Sequence, residues 1–197
     1  MDDYFEVFGL SRKLQLDEEE LRRRFYALSR RHHPDFHQQA GEREQAAALA
    51  SSALVNRAYR ALRDPIARVE YLIALEEGRD GKEGGTKPRP PMDLLEEMLE
   101  VQEALEEIKR SELDRAARER LCAERQRLVA RRLATEREIR DRGADWDAAV
   151  EANGERASLL RWFKEALATR AYLTTVIDDL GDALGKDPDT HVSHRRD

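Results

Sequence analysis

Cysteine, long apolar runs and strand-forming patterns are all scarce in this sequence of 197 residues. Because Cys122 is the only cysteine, one chain cannot build a disulfide framework, a cysteine-rich zinc site or an iron–sulfur site. No window approaches about 18 consecutive apolar residues, which argues against a membrane span. The first residues lack a basic stretch followed by an apolar one, so we expect no secretory signal. These absences favour a protein of a reducing compartment, the cytoplasm.

Charged side chains are abundant, at 39% of the chain, and 41 acidic against 35 basic residues give a formal net charge of −6. The hydrophobic fraction of 40% is too high for a wholly disordered chain. An acidic total argues against a general nucleic-acid binder. The arginine-rich stretch over 125–142 is interrupted by acids and has no interleaved aromatic residues, so we expect no nucleic-acid partner there.

Glycine and proline concentrate in residues 78–91, which hold four glycines, three prolines and no large apolar side chain. Such a segment cannot bury itself, so we predict a flexible linker over 78–91. It separates a domain over 1–77 from one over 92–184, and a polar, disordered tail follows over 185–197. Alternating strand patterns are nearly absent, so both domains are predicted to be all-α.

In the first domain, apolar spacing predicts a short helix near 4–8 that Gly9 stops, and a second helix near 17–32 with Asp17 as its N-cap. A third helix is predicted over about 42–63, and a fourth follows Asp64-Pro65. The expected buried stripe of the third helix consists of Leu49, Val55, Ala58, Tyr59 and Leu62.

In the second domain, a helix over about 93–110, a long helix that ends by Gly143 and a last segment from Trp146 to Leu180 predict a three-helix antiparallel bundle. Cys122 follows Leu121 on the long helix, and we interpret it as a packing residue.

The most specific local feature is the tripeptide His33-Pro34-Asp35, between an arginine-rich helix and a helix that closes with the run over 56–65. Because proline fixes its φ angle and restricts the residue before it, Pro34 ends the first helix and presents His33 and Asp35 at a rigid corner. Asp35 is a compact acceptor for charge-assisted hydrogen bonds from an arginine of a partner.

A basic surface precedes this corner. Arg22, Tyr26 and Arg30 share one helix face at a spacing of four, and Arg23 lies beside them. We call these four residues the basic face. Opposite a stripe of buried residues, such a face is suited to docking on an acidic surface.

The tripeptide, the flanking helices and the ending over 56–65 together resemble the J-domain of DnaJ-type co-chaperones. In that family the tripeptide is needed to stimulate ATP hydrolysis by a DnaK-type chaperone. The resemblance therefore implies that His33, Pro34 and Asp35 bind a chaperone ATPase. From its charge, we expect the basic face (Arg22, Arg23, Tyr26 and Arg30) to dock on the same partner.

Four further segments, over 3–10, 64–73, 94–105 and 146–149, are similar to the HscB family, J-type co-chaperones of bacterial iron–sulfur cluster assembly. That resemblance implies a J-domain joined to a three-helix bundle in an L shape. It also implies that the bundle binds an IscU-type scaffold protein and delivers it to an HscA-type, DnaK-like chaperone. We accordingly expect neither an enzyme activity nor a cofactor.

The first bundle helix carries seven acids and no base over residues 93–107. An apolar strip flanked by carboxylates suits a partner with an apolar patch and a basic rim. The HscB resemblance implies a scaffold-binding set, which is Leu95, Leu99, Glu100, Glu103 and Trp162. The alternative is that Leu95, Leu99 and Trp162 form the bundle core. Adjacent residues of a helix point about 100° apart, so one of Trp162 and Phe163 should lie at the surface or its edge.

Three other interpretations stay open. Four candidate metal ligands, His32, His33, Asp35 and His37, lie within six residues and suggest a small metal-dependent hydrolase. Adjacent residues do not share a helix face, however, and Pro34 prevents a continuous helix that would align them, so we predict no metal site. The second alternative is a J-domain protein with another client. The third is a structural helical protein in which the tripeptide is fortuitous.

Overall fold

The computed structural model of the protein describes residues 3–37, 41–78 and 115–185, together with Leu99 and Val101. Within these residues the chain is helical and contains no strand, which confirms the all-α prediction. The helices are α1 (Tyr4–Val7), α2 (Glu18–Arg31), a 3₁₀ turn (Pro34–His37), α3 (Glu42–Arg63), α4 (Pro65–Glu76), α5 (Arg115–Asp141), α6 (Gly143–Glu151) and α7 (Ala157–Gly185). None of the described helices is long and apolar enough to cross a membrane.

Contacts divide the chain into two compact units. The described part of the first unit comprises residues 3–37, 41–78 and 139–163, and that of the second comprises 115–138 and 164–185 with Leu99 and Val101. The segment 139–163 therefore packs with the N-terminal helices. Most of the predicted linker, the predicted helix over 93–110 and the tail lie outside the described residues, so the predicted domain boundaries stay predictions.

The ends of the N-terminal helices lie at the residues that the sequence predicts for them. The Asp17 carboxylate accepts hydrogen bonds from the Glu19 and Glu20 amides, at 2.9 and 3.1 Å, and so satisfies donors that the first turn of α2 leaves unpaired. Gly9 follows α1 with a φ of +61°, a conformation that glycine adopts at little cost. Pro65 occupies the first turn of α4, after the Asp64 cap.

Helix α3 is the centre of the first unit and packs against α1, α2 and α4. Its buried residues are Ala48, Val55, Ala58 and Leu62, whose spacings of seven, three and four keep them on one face. The prediction of Leu49 as a buried residue is wrong, since its side chain is 62% exposed. Leu49 lies one residue beyond Ala48 and so points about 100° away from the core.

The loop between α1 and α2 is held by two buried charged residues of the first unit. The two Asp147 carboxylate oxygens accept hydrogen bonds from the Leu14 and Gln15 amides, at 2.7 and 2.8 Å. The buried Arg68 guanidinium donates to the carbonyl oxygens of Leu14 and Leu62. Burial lowers the pKa of Arg68 from its ordinary value. Helices α4 and α6 thus hold one loop through its backbone, an arrangement we call the loop clamp.

The second unit has its own apolar core, formed by Val101, Leu121, Leu128, Leu173, Val176, Ile177 and Leu180. The interpretation of Cys122 as a packing residue is wrong, because this cysteine is exposed. Leu121 and Leu128, seven residues apart, face the core together, and the residue after Leu121 is turned away from it.

The predicted last segment consists of two helices. Asn153 adopts a φ of 49° in the turn between α6 and α7, and Gly154 follows it. Asparagine and glycine are the residues that most readily adopt left-handed or tight turns.

Candidate functional site

The corner at residues 33–35 joins α2 to a short 3₁₀ turn. Helix α2 ends at Arg31, and the His32 amide still donates to the Leu28 carbonyl oxygen at 3.0 Å. The 3₁₀ turn begins at Pro34, where a proline loses no helical hydrogen bond, and the Phe36 amide donates to the His33 carbonyl oxygen at 3.0 Å. The backbone on both sides of Pro34 is therefore ordered by hydrogen bonds, as a rigid corner requires.

His33 and Asp35 interact with each other while both remain accessible. The Asp35 amide donates to His33 Nδ1 at 3.3 Å, and the same nitrogen lies 3.5 Å from an Asp35 carboxylate oxygen. The two side chains are 53% and 71% exposed. An exposed carboxylate beside an imidazole at a fixed turn can accept charge-assisted hydrogen bonds from a partner with little loss of conformational entropy.

Phe36 is a surface residue that sequence reasoning missed. Its side chain is 67% exposed, and its ring packs edge-on to His33 with 6.2 Å between the ring centroids. An aromatic residue directly after the tripeptide, in a segment with no helical period to bury it, was the signal that could have identified it. Phe36 adds apolar contact area beside the polar corner.

The basic face lies on the exposed side of α2, as predicted. Arg22, Tyr26 and Arg30 are all exposed, whereas Leu21 on the opposite side is buried. Arg23 is also exposed and contacts the Glu20 carboxylate. Hydrogen bonding from Arg24, with further attraction from Arg23, holds the pKa of Glu20 below its ordinary value.

The next arginine along α2 has a structural role. The Arg24 guanidinium donates to the carbonyl oxygens of Phe8 and Gly9, at 2.6 and 2.7 Å, and to Glu20. Arg24 thus ties α2 to the end of α1, which separates it from the arginines of the basic face.

Of the predicted scaffold-binding residues, the structure describes Leu99 and Trp162. Leu99 is 60% exposed, so the alternative interpretation of this leucine as a core residue is wrong. Phe163 is fully buried, whereas Trp162 is half-buried and lies against the Arg142 guanidinium, 4.3 Å from its ring centroid. Leu95, Glu100 and Glu103 lie outside the described residues.

The structure tests the histidine cluster only in part. Among the described residues, no group of three or more histidine, cysteine or carboxylate side chains is placed to hold a metal ion. His32 is half-buried behind the exposed His33, and the side chain of His37 lies outside the described residues.

Comparison with known proteins agrees with this geometry. Residues 3–71 match the family model of the DnaJ domain, so the chain carries a J-domain that includes α1 to the middle of α4 and the corner at 33–35. This is the type of domain that the helical hairpin and the tripeptide predicted.

Solved structures extend the likeness to nearly the whole chain. The chaperone HscB from Vibrio cholerae is 24% identical, with a TM-score of 0.62 over 92% of this chain and 96% of that one. The human co-chaperone protein HscB is 23% identical, with a TM-score of 0.58 over 92% of this chain and 81% of that one. The described residues therefore combine a match to the DnaJ domain over 3–71 with the fold of the HscB structures, and the resemblance predicted from the sequence is confirmed at that level.

Proposed function

We propose that this protein is a co-chaperone of the HscB type. Its J-domain docks on a DnaK-like, HscA-type chaperone and stimulates ATP hydrolysis there, and its C-terminal residues hold an IscU-type iron–sulfur scaffold protein. The observation that supports this proposal is the exposed His33–Asp35 corner, ordered by hydrogen bonds and preceded by the exposed basic face. The cytoplasmic location predicted from the sequence belongs to the same proposal.

The two parts of the docking surface have different tasks. Arg22, Arg23 and Arg30 attract and orient an acidic surface, which mainly raises the association rate. Asp35 accepts hydrogen bonds from a cationic group of the chaperone and is the residue that couples docking to ATP hydrolysis. Because one chain binds both scaffold and chaperone, it raises the local concentration of scaffold at the chaperone without any catalytic group of its own.

Asp35→Asn tests the chaperone part of the proposal. The amide keeps the size of the side chain and loses its charge, so we expect ATPase stimulation to fall to near the basal rate of the chaperone. The measurement is steady-state ATP hydrolysis by an HscA-type chaperone with increasing amounts of the full chain. Asp178→Asn, an exposed aspartate of α7, is the matched control and should stimulate like the wild type. Unchanged stimulation by Asp35→Asn would contradict the proposal.

Leu99→Ser tests the scaffold part. An exposed leucine that is buried in a complex contributes about 1.5–3 kcal/mol, so we expect scaffold binding to weaken about tenfold or more. Leu133→Ser is the control, because Leu133 is also exposed, at 48%, and lies in the same unit. Isothermal titration of each full-length variant with an IscU-type scaffold gives the dissociation constants. If the wild type stimulates the chaperone yet does not bind the scaffold, the protein is a J-domain co-chaperone for another client.

A further inference from the structure

Helix α5 carries apolar residues on two of its faces. One face packs into the core of the second unit through Leu121 and Leu128. The other face is exposed, and its largest apolar side chain, Leu133, is 48% exposed. The exposed residues that follow this second face at spacings of four, three, four, three and four are Glu119, Ala123, Gln126, Ala130, Leu133 and Arg137. We call these residues the outer stripe.

The spacing of the outer stripe is that of a coiled-coil seam. Alternating steps of four and three average about 3.5 residues, the repeat that keeps one line of side chains facing a second helix along its whole length. Leu121 and Leu128 face the core of the unit while the outer stripe faces solvent. The same helix can therefore pack on its own unit and on a partner at once.

The order of residues along the outer stripe indicates which partner fits it. The stripe is symmetrical about residue 128, so an identical helix that runs antiparallel places each member opposite a different member of the second copy. The pairs that result, each formed twice around a two-fold axis, are Glu119 with Arg137, Ala123 with Leu133 and Gln126 with Ala130. The stripe is thus complementary to itself in charge and in size.

We propose that the outer stripe of α5 binds a second copy of this chain, as an antiparallel pair of helices around a two-fold axis. This proposal goes beyond the co-chaperone function and does not depend on it. Leu133 of each copy fills the space beside the small Ala123 of the other, so two exposed leucines become buried. The Glu119 carboxylate and the Arg137 guanidinium form a charge-assisted pair at each end of the stripe.

Charge disfavours the parallel arrangement of the same two helices. Parallel copies would place Glu119 against Glu119 and Arg137 against Arg137, and like charges repel. Arg127 lies beside the proposed axis, but its guanidinium is paired with the Glu124 carboxylate of its own helix at 2.7 Å, which reduces repulsion between the copies. The stripe is about 27 Å long, so we expect a weak and reversible dimer rather than an obligate one.

Sedimentation velocity of the full chain tests self-association, with Cys122→Ser as the background that excludes disulfide-linked dimers. We expect the sedimentation coefficient to rise between low micromolar and millimolar concentration. Leu133→Ser removes the largest apolar contact twice per dimer, so it should weaken association about tenfold or more. A chain that stays monomeric at millimolar concentration would overturn the inference and leave this face to a different protein.

A charge exchange tests the pairing itself. Glu119→Arg should weaken association about tenfold, because two attractive pairs become repulsive. The double variant E119R/R137E brings opposite charges together again and should associate like the wild type. Glu165→Arg, an exposed glutamate of α7, is the matched control and should change nothing. Failure of the double variant to recover association, or an equal loss in Glu165→Arg, would show that these residues do not pair.

The single cysteine tests the direction of the helices. In the antiparallel dimer, residue 122 is level with residue 134 of the second copy, which separates the two Cys122 Cα atoms by about 20 Å. In a parallel pair they would lie about 10 Å apart. Pulsed electron paramagnetic resonance of the wild type, labelled with a nitroxide at Cys122, should show the longer distance and should lose it in Leu133→Ser. The shorter distance, or a dimer signal that Leu133→Ser leaves unchanged, would contradict the proposal.

These outcomes are separate from those of the proposed function. Leu133→Ser should keep wild-type stimulation of the chaperone ATPase, because the corner at 33–35 is intact. Failure of the dimer therefore leaves the co-chaperone proposal standing, and unchanged stimulation by Asp35→Asn leaves the dimer standing.

Discussion

At the scale of single residues, Tyr71 illustrates how burial of a titratable side chain makes the stability of the fold depend on pH. Its ring stacks on Tyr4 with 4.3 Å between the centroids, and its hydroxyl oxygen accepts a hydrogen bond from the Tyr4 amide at 2.8 Å. Burial raises the pKa of Tyr71 from 10.0 to about 12, although the Tyr4 amide opposes that change by favouring the phenolate. The folded J-domain thus favours the neutral phenol.

This pKa predicts a loss of stability at high pH. Below pH 10 the phenol is neutral in both the folded and the unfolded chain, so its contribution is constant. Between pH 10 and pH 12 the unfolded chain loses the proton first, which lowers the free energy of unfolding by about 2–3 kcal/mol in total. Urea unfolding followed by circular dichroism across this range measures the decrease.

Two phenylalanine variants provide the controls for Tyr71. Tyr71→Phe should lose about 1 kcal/mol at neutral pH, because the Tyr4 amide loses its acceptor, and should show a smaller decrease above pH 10. Tyr26→Phe, on the exposed face of α2, should keep the full decrease. An equal decrease in Tyr71→Phe and the wild type would show that other groups cause it.

At the scale of elements, the loop clamp joins segments that are far apart in the sequence. Asp147 is buried, and its hydrogen bonds reach residues 133 and 132 positions earlier, in the loop before α2. Hydrogen bonds to a charged group contribute about 1.5–3 kcal/mol each, and a buried amide without an acceptor is unfavourable. We therefore expect Asp147→Ala to lower the free energy of unfolding of the first unit by about 3 kcal/mol.

Tryptophan fluorescence measures this effect selectively, because both tryptophans, Trp146 and Trp162, belong to the first unit. Asp145→Ala is the control, since this exposed neighbour should change stability by no more than about 0.5 kcal/mol. Amide hydrogen exchange at Leu14 and Gln15 should accelerate in Asp147→Ala alone. Slow exchange at both amides in that variant would show that the carboxylate does not hold the loop.

The helices of the J-domain were predictable because their signals are local. Asp17 before a run of glutamates, Gly9 after a short apolar stretch and Asp64-Pro65 each specify a helix end within a few residues. The corner and the basic face were also predictable from local sequence. A proline determines the corner, and a spacing of four residues determines the basic face.

Side-chain burial was less predictable where two adjacent apolar residues compete for one core position. The choice between Ala48 and Leu49 depends on how α3 packs against its neighbours, and Leu49, although larger, faces solvent. The loop clamp and the exposure of Phe36 likewise arise from packing between separate elements. No local pattern in the sequence encodes such contacts.

At the scale of the whole molecule, the net charge is negative, whereas one exposed helix face is positive. The chain has a formal net charge of −6, yet the exposed surface of α2 presents Arg22, Arg23 and Arg30. Because salt screens exposed charges over about 10 Å at 0.1 M, docking through this face should weaken as ionic strength rises. We expect the half-maximal co-chaperone concentration to increase several-fold, about 3–10-fold, between low and high salt, with the same maximal stimulation.

Chaperone ATPase assays at matched temperature and increasing potassium chloride measure this dependence. The variant R22Q/R30Q should show a weaker dependence than the wild type, because fewer charges remain to be screened. A half-maximal concentration that does not change with salt would assign docking to the corner and its apolar neighbours alone.

The exposure of Cys122 also affects how the purified protein behaves. Because Cys122 is exposed and is the only cysteine, two chains can be joined by one disulfide, and no second thiol remains to link a third chain. Samples stored in air without a reductant should therefore show one additional band on a non-reducing gel, at twice the monomer mass and with no higher ladder. An oligomeric state measured on such samples would include these disulfide-linked dimers, unless the thiol is first blocked or replaced by serine.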